Sequence, residues 1–185
     1  MKFFKQAFNH IPHEGEIGDC YRTCVAMLTG YERDEVPHFV GDAWEAVGKD
    51  DPEGFLRRLE DWLFEHRLYR IQYAWLTDPD AKLEDALSMA KHFSHNICYM
   101  LGGTSSGGNP HVVICRNDEM IWDPSKVDSG IVGPLINDQG QSVFAIEFFV
   151  AAAYDLVDGE PISQVKKKTG FVWRDVYKAR GTDGD

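Results

Sequence analysis

Nowhere in the chain do apolar residues run for the roughly 18 positions that a membrane-spanning helix needs, so no membrane contact is expected. Positive charge is scarce as well. Lys and Arg number 19 against 30 Asp and Glu, a formal charge of −11 at pH 7. That balance disfavours broad contact with a phosphate backbone and sets nucleic acid aside as a partner. The only dense basic clusters, Arg57-Arg58 and Lys166-Lys167-Lys168, read as solvated helix faces. Cysteine is limited to four residues, at 20, 24, 98 and 115. The last three sit in apolar surroundings and read as free thiols of a reducing compartment, in a chain long enough to stand without disulfides. Met1-Lys2-Phe3-Phe4-Lys5 could open an export signal, but Gln6, Asn9, His10 and His13 interrupt it before an apolar stretch forms. A cytoplasmic location is therefore expected. There is no internal repeat, and the glycine-rich stretch at 102–110 lacks the Gly-Lys-Ser/Thr ending of a phosphate loop. No cofactor is expected.

What is present fits one globular domain over residues 1–185, with 181–185 as a frayed tail. Hydrophobic residues make up 43% of the chain, enough for a sizeable core. The front half is helical. Residues 20–28 read as a helix closed by Gly30, and residues 36–47 as a short second one that turns Val36, Phe39 and Trp44 inward. Asp51-Pro52-Glu53 is a strong helix start, followed by Phe55, Leu56, Leu59, Trp62 and Leu63 on one face. Residues 71–76 are a candidate strand. Asp78-Pro79 is expected to start a further helix, with Leu83, Ala86, Leu87 and Ala90 as its stripe. The back half is rich in strands, at 97–101, 111–115, 120–122 and 142–151. Residues 163–180 form a terminal helix or strand pair in this reading. The pattern predicts an α+β fold, with the N-terminal helices packed on an antiparallel sheet.

The chemistry concentrates in three places. Gly18-Asp19-Cys20-Tyr21-Arg22-Thr23-Cys24-Val25-Ala26-Met27-Leu28 sets a cysteine where a polar turn becomes an amphipathic helix. Free amide N–H groups and the positive helix end favour thiolate at such a position. Roughly ninety residues further on come His111 and then Trp122-Asp123-Pro124. Cysteine, histidine and aspartate in that order point to a nucleophile, its base and the residue that orients the base. A hairpin turning through Arg116-Asn117-Asp118 would set Cys115 opposite Glu119 and His111 directly opposite Asp123. Zinc competes for the same atoms, because Cys20 and Cys24 share a helix face. Neither His10 nor His13 completes a structural zinc spacing, His92 and His95 form a weaker group, and no metal is expected. The stretch at 102–110 reads either as a loop at the mouth of a cleft, with Gly107 and Gly108 as hinges, or as a plain connector.

The Cys20 helix resembles the active-cysteine helix of papain-like cysteine peptidases, and in particular the peptidase domains of transporters that process bacteriocin leaders. Asp34-Glu35-Val36-Pro37-His38-Phe39, His111 and Trp122-Asp123-Pro124 resemble small papain-like proteins of bacteria and their phages. The likeness spans residues 6 to 135. It implies a papain-like fold, with Cys20 as nucleophile, His111 as general base and Asp123 as its orienter. It further implies a thioester intermediate and a peptide or protein substrate, with a peptide, isopeptide or other amide bond cleaved. The family's oxyanion donor is a glutamine shortly before the cysteine. Here Glu14 stands near that place, and Gln6 is the only preceding glutamine. Gln6 can serve only if residues 7–19 loop out and return it to the cleft. Tyr21 occupies a position that is often glycine in the family. These departures keep open a transglutaminase or deamidase that uses the same thiol, and an inactive protein-interaction module.

Overall fold

Helix boundaries in this protein follow from local chemistry at the ends. Residues 2–49 and 51–151 are described by the computed structural model, and Met1–Val150 cluster into one compact unit. The expectations placed on residues 163–180, on the basic run at 166–168, on the tail at 181–185 and on one domain reaching to residue 185 fall outside the described residues.

Helix α1 (Cys20–Thr29) stops at Gly30, whose φ of 84° lets its N–H close on Ala26 O. Helix α2 (Phe39–Val47) begins three residues later than the pattern predicts. Val36 precedes Pro37, and the proline ring pushes it into extended backbone (φ −95°, ψ 127°). Val36 is nevertheless buried, as its apolar character requires. Helix α3 (Pro52–Glu65) starts as expected: the Asp51 carboxylate accepts from Gly54 N at 2.9 Å and proline takes the first helical position. Helix α4 (Leu83–Ser94) does not start at Asp78-Pro79. Those residues close a separate turn through Ala81 N and Asp78 O (3.1 Å), and the helix waits for Asp85, whose carboxylate accepts from Lys82 N at 2.8 Å.

Six strands form one open sheet: β1 (Leu68–Leu76), β2 (Cys98–Thr104), β3 (Pro110–Arg116), β4 (Glu119–Trp122), β5 (Leu135–Ile136) and β6 (Ser142–Ala151). Their order is β1-β6-β2-β3-β4, with β5 also paired to β6. The pairs β2–β3, β2–β6, β3–β4 and β5–β6 are antiparallel. Two-residue β5 has too few residues to carry a periodic signal, and the sequence reading omits it.

Side chains alternate across the sheet and supply two cores. Met100 and Ile114 join Cys24, Val25, Phe39 and Leu59 in the core shared with α1–α3. Tyr99, Leu101, Val113 and Cys115 join Ala86, Ala90 and Phe144 in the core shared with α4. The architecture is mixed α+β, with helices on both faces of the sheet. Buried on both sides, β2 and β3 read as nearly continuous apolar runs. Among the described residues no helix is long and apolar enough to cross a membrane.

The glycine-rich stretch is mostly sheet. Gly102 and Gly103 belong to β2, and only residues 105–109 remain as a turn, closed by Ser105 N to Asn109 O and Gly108 N to Ser105 O, both 2.9 Å. Gly103 is required by packing: a β-carbon there would lie 2.5 Å from Ile131 Cγ2 and 2.7 Å from Gly133 O. At Gly107 a β-carbon would make only ordinary contacts, the nearest 3.8 Å away. Gly103→Ala should therefore cost about 1–3 kcal/mol in urea unfolding, from overpacking. Gly107→Ala should stay within about 0.5 kcal/mol of the parent.

Candidate active site

Cys20 is the first residue of α1 and is half-buried. Asp19 takes the cap position before it, yet its side chain does not cap the helix. Asp19 Oδ1 instead accepts from Ala7 N (2.8 Å) and Phe8 N (3.0 Å), far back in the chain. Cys24, one turn deeper, is fully buried, and its thiol lies 3.8 Å from Val112 O. Burial pushes the Cys24 thiol well above its ordinary range, as expected of a structural cysteine.

His111 and Asp123 meet, by a route that differs from the expected one. The hairpin turns through two residues, Asn117 and Asp118, and not three, so Arg116 pairs with Glu119 and Cys115 with Met120. Asn117 has φ 53°, which an asparagine tolerates in a tight turn. Carried on unbroken, that register would place Asp123 on the face opposite His111. A bulge intervenes: Ile114 pairs with Trp122, leaving Ile121 as the extra residue. Ile121 and Trp122 then both pack against the α1–α3 core, and the alternation beyond them shifts by one. Extending the shifted register puts Asp123 across from Val113, on the same face as His111 and diagonal to it. The side chains close that diagonal with His111 Nε2 and Asp123 Oδ1 2.7 Å apart.

Both partners are buried, at 7% exposure each. Burial opposes ionisation of Asp123, but the His111 ring and the backbone N–H groups of Gly130 and Ser125 outweigh it and hold the carboxyl below its ordinary range. Each of these amides donates at 2.7 Å, Gly130 to Oδ2 and Ser125 to Oδ1. The opposite balance holds at His111. Burial disfavours its charge, yet Asp123 and then Cys20 raise its pKa to about 9. The Cys20 thiol thus acts on the ring's charge, and with Nε2 facing Asp123 the other ring nitrogen is Nδ1. The structure brings Cys20, His111 and Asp123 into one cluster.

Gln6 approaches the same cluster along the backbone. Its N–H donates to Pro124 O at 2.8 Å, while the next two residues are bound by Asp19. Residues 9–18 fold as a loop, drawn together by an Ile11–Glu16 bridge and a 3-10 turn at Pro12–Glu14. Glu14 lies exposed in that loop.

The zinc alternative finds no cluster: among the described residues no group of three or more His, Cys, Asp or Glu side chains could hold a metal ion. His10 Nδ1 accepts from Gly18 N, and His92 Nδ1 lies 2.8 Å from Ser88 O. The 105–109 turn reaches the loop behind Asp123 through Ser106 N and Ser129 O (3.3 Å).

Several residues of this region escape sequence reasoning. Lys5 Nζ donates to Asp123 O (3.0 Å) and Ser125 O (2.7 Å), pairs with Asp128, and lies over the Trp122 ring. Tyr21, next to the cysteine, donates its hydroxyl to buried Glu147 at 2.6 Å, with Arg70 3.5 Å from the same carboxylate oxygen. No motif marks these residues, because their partners lie more than a hundred residues away or on another element.

No family model matches this chain, and no curated protein or solved structure matches it.

The His111–Asp123 pair predicts a specific pH response. The folded-state value of about 9 lies above the ordinary 6.5, so the charged ring stabilises the fold fully below pH 6.5 and loses that contribution as pH rises through 9. NMR titration should show the His111 ring protonated at neutral pH and losing its proton near pH 9. Asp123→Ala should move the midpoint down.

Proposed function

We propose that the protein is a papain-like thiol hydrolase that cleaves a peptide, isopeptide or other amide bond. The observation that carries this reading is the cluster itself: a half-buried thiol opening a helix, beside an imidazole whose far nitrogen is fixed by a buried carboxylate. Supporting it is the layout in which the cysteine helix packs against an antiparallel sheet that bears the histidine strand. A structural thiol needs no such partner, and Cys24 illustrates the ordinary alternative.

In this mechanism the Cys20 proton already rests on His111 Nδ1 before attack, and the sulfur attacks the acyl carbon of the substrate. The carbonyl electron pair moves onto oxygen. The Cys20 backbone N–H and the Gln6 side-chain amide receive that charge, a contribution of roughly 3 kcal/mol for one good donor. As the tetrahedral species collapses, the C–N bond breaks and His111 gives its proton to the departing amine. A thioester remains on Cys20. Water, deprotonated by His111, attacks the thioester, the C–S bond breaks, and acid and thiol are released. Asp123 keeps Nε2 occupied and the ring aligned throughout; it does not itself carry the proton. An amine acceptor in place of water would make the protein a transglutaminase, and a glutamine side chain as the acyl donor, resolved by water, a deamidase. The substrate in this reading is a peptide or protein met in the cytoplasm.

Acyl transfer to Cys20 tests the proposal directly. Native protein treated with p-nitrophenyl acetate should carry one acetyl group, mapped by mass spectrometry to Cys20 and absent from Cys24, Cys98 and Cys115. His111→Ala should slow acylation near neutral pH by about 10²-fold or more, the usual contribution of a positioned base. Iodoacetamide should likewise select Cys20 among the four thiols. Labelling of all four cysteines only after denaturation would instead make the protein a binding module of the same fold.

A further inference from the structure

Asp19, next to the cysteine, is a buried side chain that the mechanism leaves unused. It is 1% exposed, and its Oδ2 has no hydrogen-bond partner. An aspartate in the cap position ordinarily satisfies an amide of its own helix. Asp19 forgoes that and spends Oδ1 on two consecutive amides, Ala7 N and Phe8 N. A buried carboxylate with so few partners is expensive, so these two bonds must hold something that the fold or the chemistry needs.

What they hold is the base of the loop between Gln6 and Cys20. Ala7 and Phe8 directly follow Gln6, and Asp19 directly precedes Cys20. The clamp therefore fixes the distance between these two residues regardless of the loop's length. On its other side the same segment is fastened to the Asp123 turn, by Gln6 N to Pro124 O (2.8 Å) and by Lys126 Nζ to Ala7 O (2.6 Å). Gln6 is thus pinned at both flanks, toward the nucleophile by Asp19 and toward the acid by Pro124.

We infer that Asp19 is a positioning residue that holds Gln6 as an oxyanion donor against Cys20. This rests on the thiol-hydrolase reading above and supplies what the sequence left open, namely how a glutamine fourteen positions before the cysteine is kept in reach. Its effect is confined to reactions that build negative charge on an oxygen. Acylation passes through a tetrahedral oxyanion; displacement at the saturated carbon of iodoacetamide does not.

Two electrophiles on the full chain separate these roles. Asp19→Ala should slow acetylation of Cys20 by p-nitrophenyl acetate by about 10²-fold while alkylation by iodoacetamide changes by no more than about twofold. Gln6→Ala should give the same split, and the double variant should lose no more than either single one. Asp19→Asn, whose Oδ1 accepts the same two amides, should restore most of the acylation rate. Amide exchange should show Ala7 and Phe8 protected in the parent and in Asp19→Asn, and unprotected in Asp19→Ala. Acylation at the parental rate in Asp19→Ala, or equal slowing of both reagents, would overturn the inference and leave the hydrolase reading standing. If Asp19→Ala does not fold, loss of acylation in Asp19→Asn with Ala7 and Phe8 still protected would overturn it equally. A parent protein that is alkylated but never acylated at Cys20 would overturn both.

Discussion

The contact between His111 and Asp123 is the constraint around which this end of the molecule is arranged. The carboxylate sits where β4 has just ended, and it accepts from the imidazole, from Ser125 N and from Gly130 N. Three donors on one buried acid join a strand, a turn and the start of the following loop into one polar unit. Because the unit is buried, each bond counts for more than it would at the surface, and loss of any donor leaves charge unpaired. The same arrangement sets the electrostatics: an anion below its ordinary range beside an imidazole raised to about 9. A buried pair of this kind holds the ring through Nε2 and leaves Nδ1 as its second nitrogen.

The N-terminal segment transmits that order to the cysteine helix. Phe4 N lies 3.4 Å from Met27 Sδ near one end of α1, and Phe4 O accepts from Trp122 Nε1 at 2.8 Å. Lys5 covers the Asp123 turn, Gln6 bonds Pro124, and residues 7 and 8 reach Asp19 at the other end of α1. A single extended stretch thus spans the helix and sews it to the strand that carries the acid. Loop entropy explains why so much bonding is spent here: residues 9–18 would otherwise leave the segment free to drift.

Beneath the cysteine, a second polar group supports the helix from the sheet. Tyr21 and Glu147 are buried, and burial raises both of them above their ordinary ranges, so the phenol keeps its proton and donates it. Arg70 and the Gln72 amide complete the surroundings of that carboxylate. A tyrosine in a position where glycine would leave the helix unanchored therefore has a physical explanation: its ring packs edge-on against Phe55 and its hydroxyl is held by β6. Such a buried ionic cluster contributes more to geometry than to net stability.

Much of this was legible in the sequence, and the boundary between legible and hidden follows the range of the interaction. Gly30, the Asp51-Pro52 start and the apolar stripes of α1 and α3 act within a turn or two, so local chemistry determined them. The order of Cys20, His111 and Asp123 was visible because residue type alone identifies groups able to carry such chemistry. Where two elements meet was not visible. The hairpin takes a two-residue turn and a bulge at Ile121 in place of the three-residue loop, and the two differences cancel to put Asp123 on the face of His111. Either alone would have separated them, since a shift of one residue reverses every side chain of a strand. Glycines 102 and 103, flexible by composition, are locked in a strand because Ile131 and Ala145 pack over them. Lys5, Asp19 and Glu147 found their partners only when distant segments came together. The sequence by itself determined the ends of α1 and α3 and the residue types available to a buried polar cluster, through forces that act over a few residues. Only the tertiary structure decided register, the bonds from Asp19 to residues 7 and 8 and the pairing of His111 with Asp123, because those depend on burial and on partners supplied by remote parts of the chain.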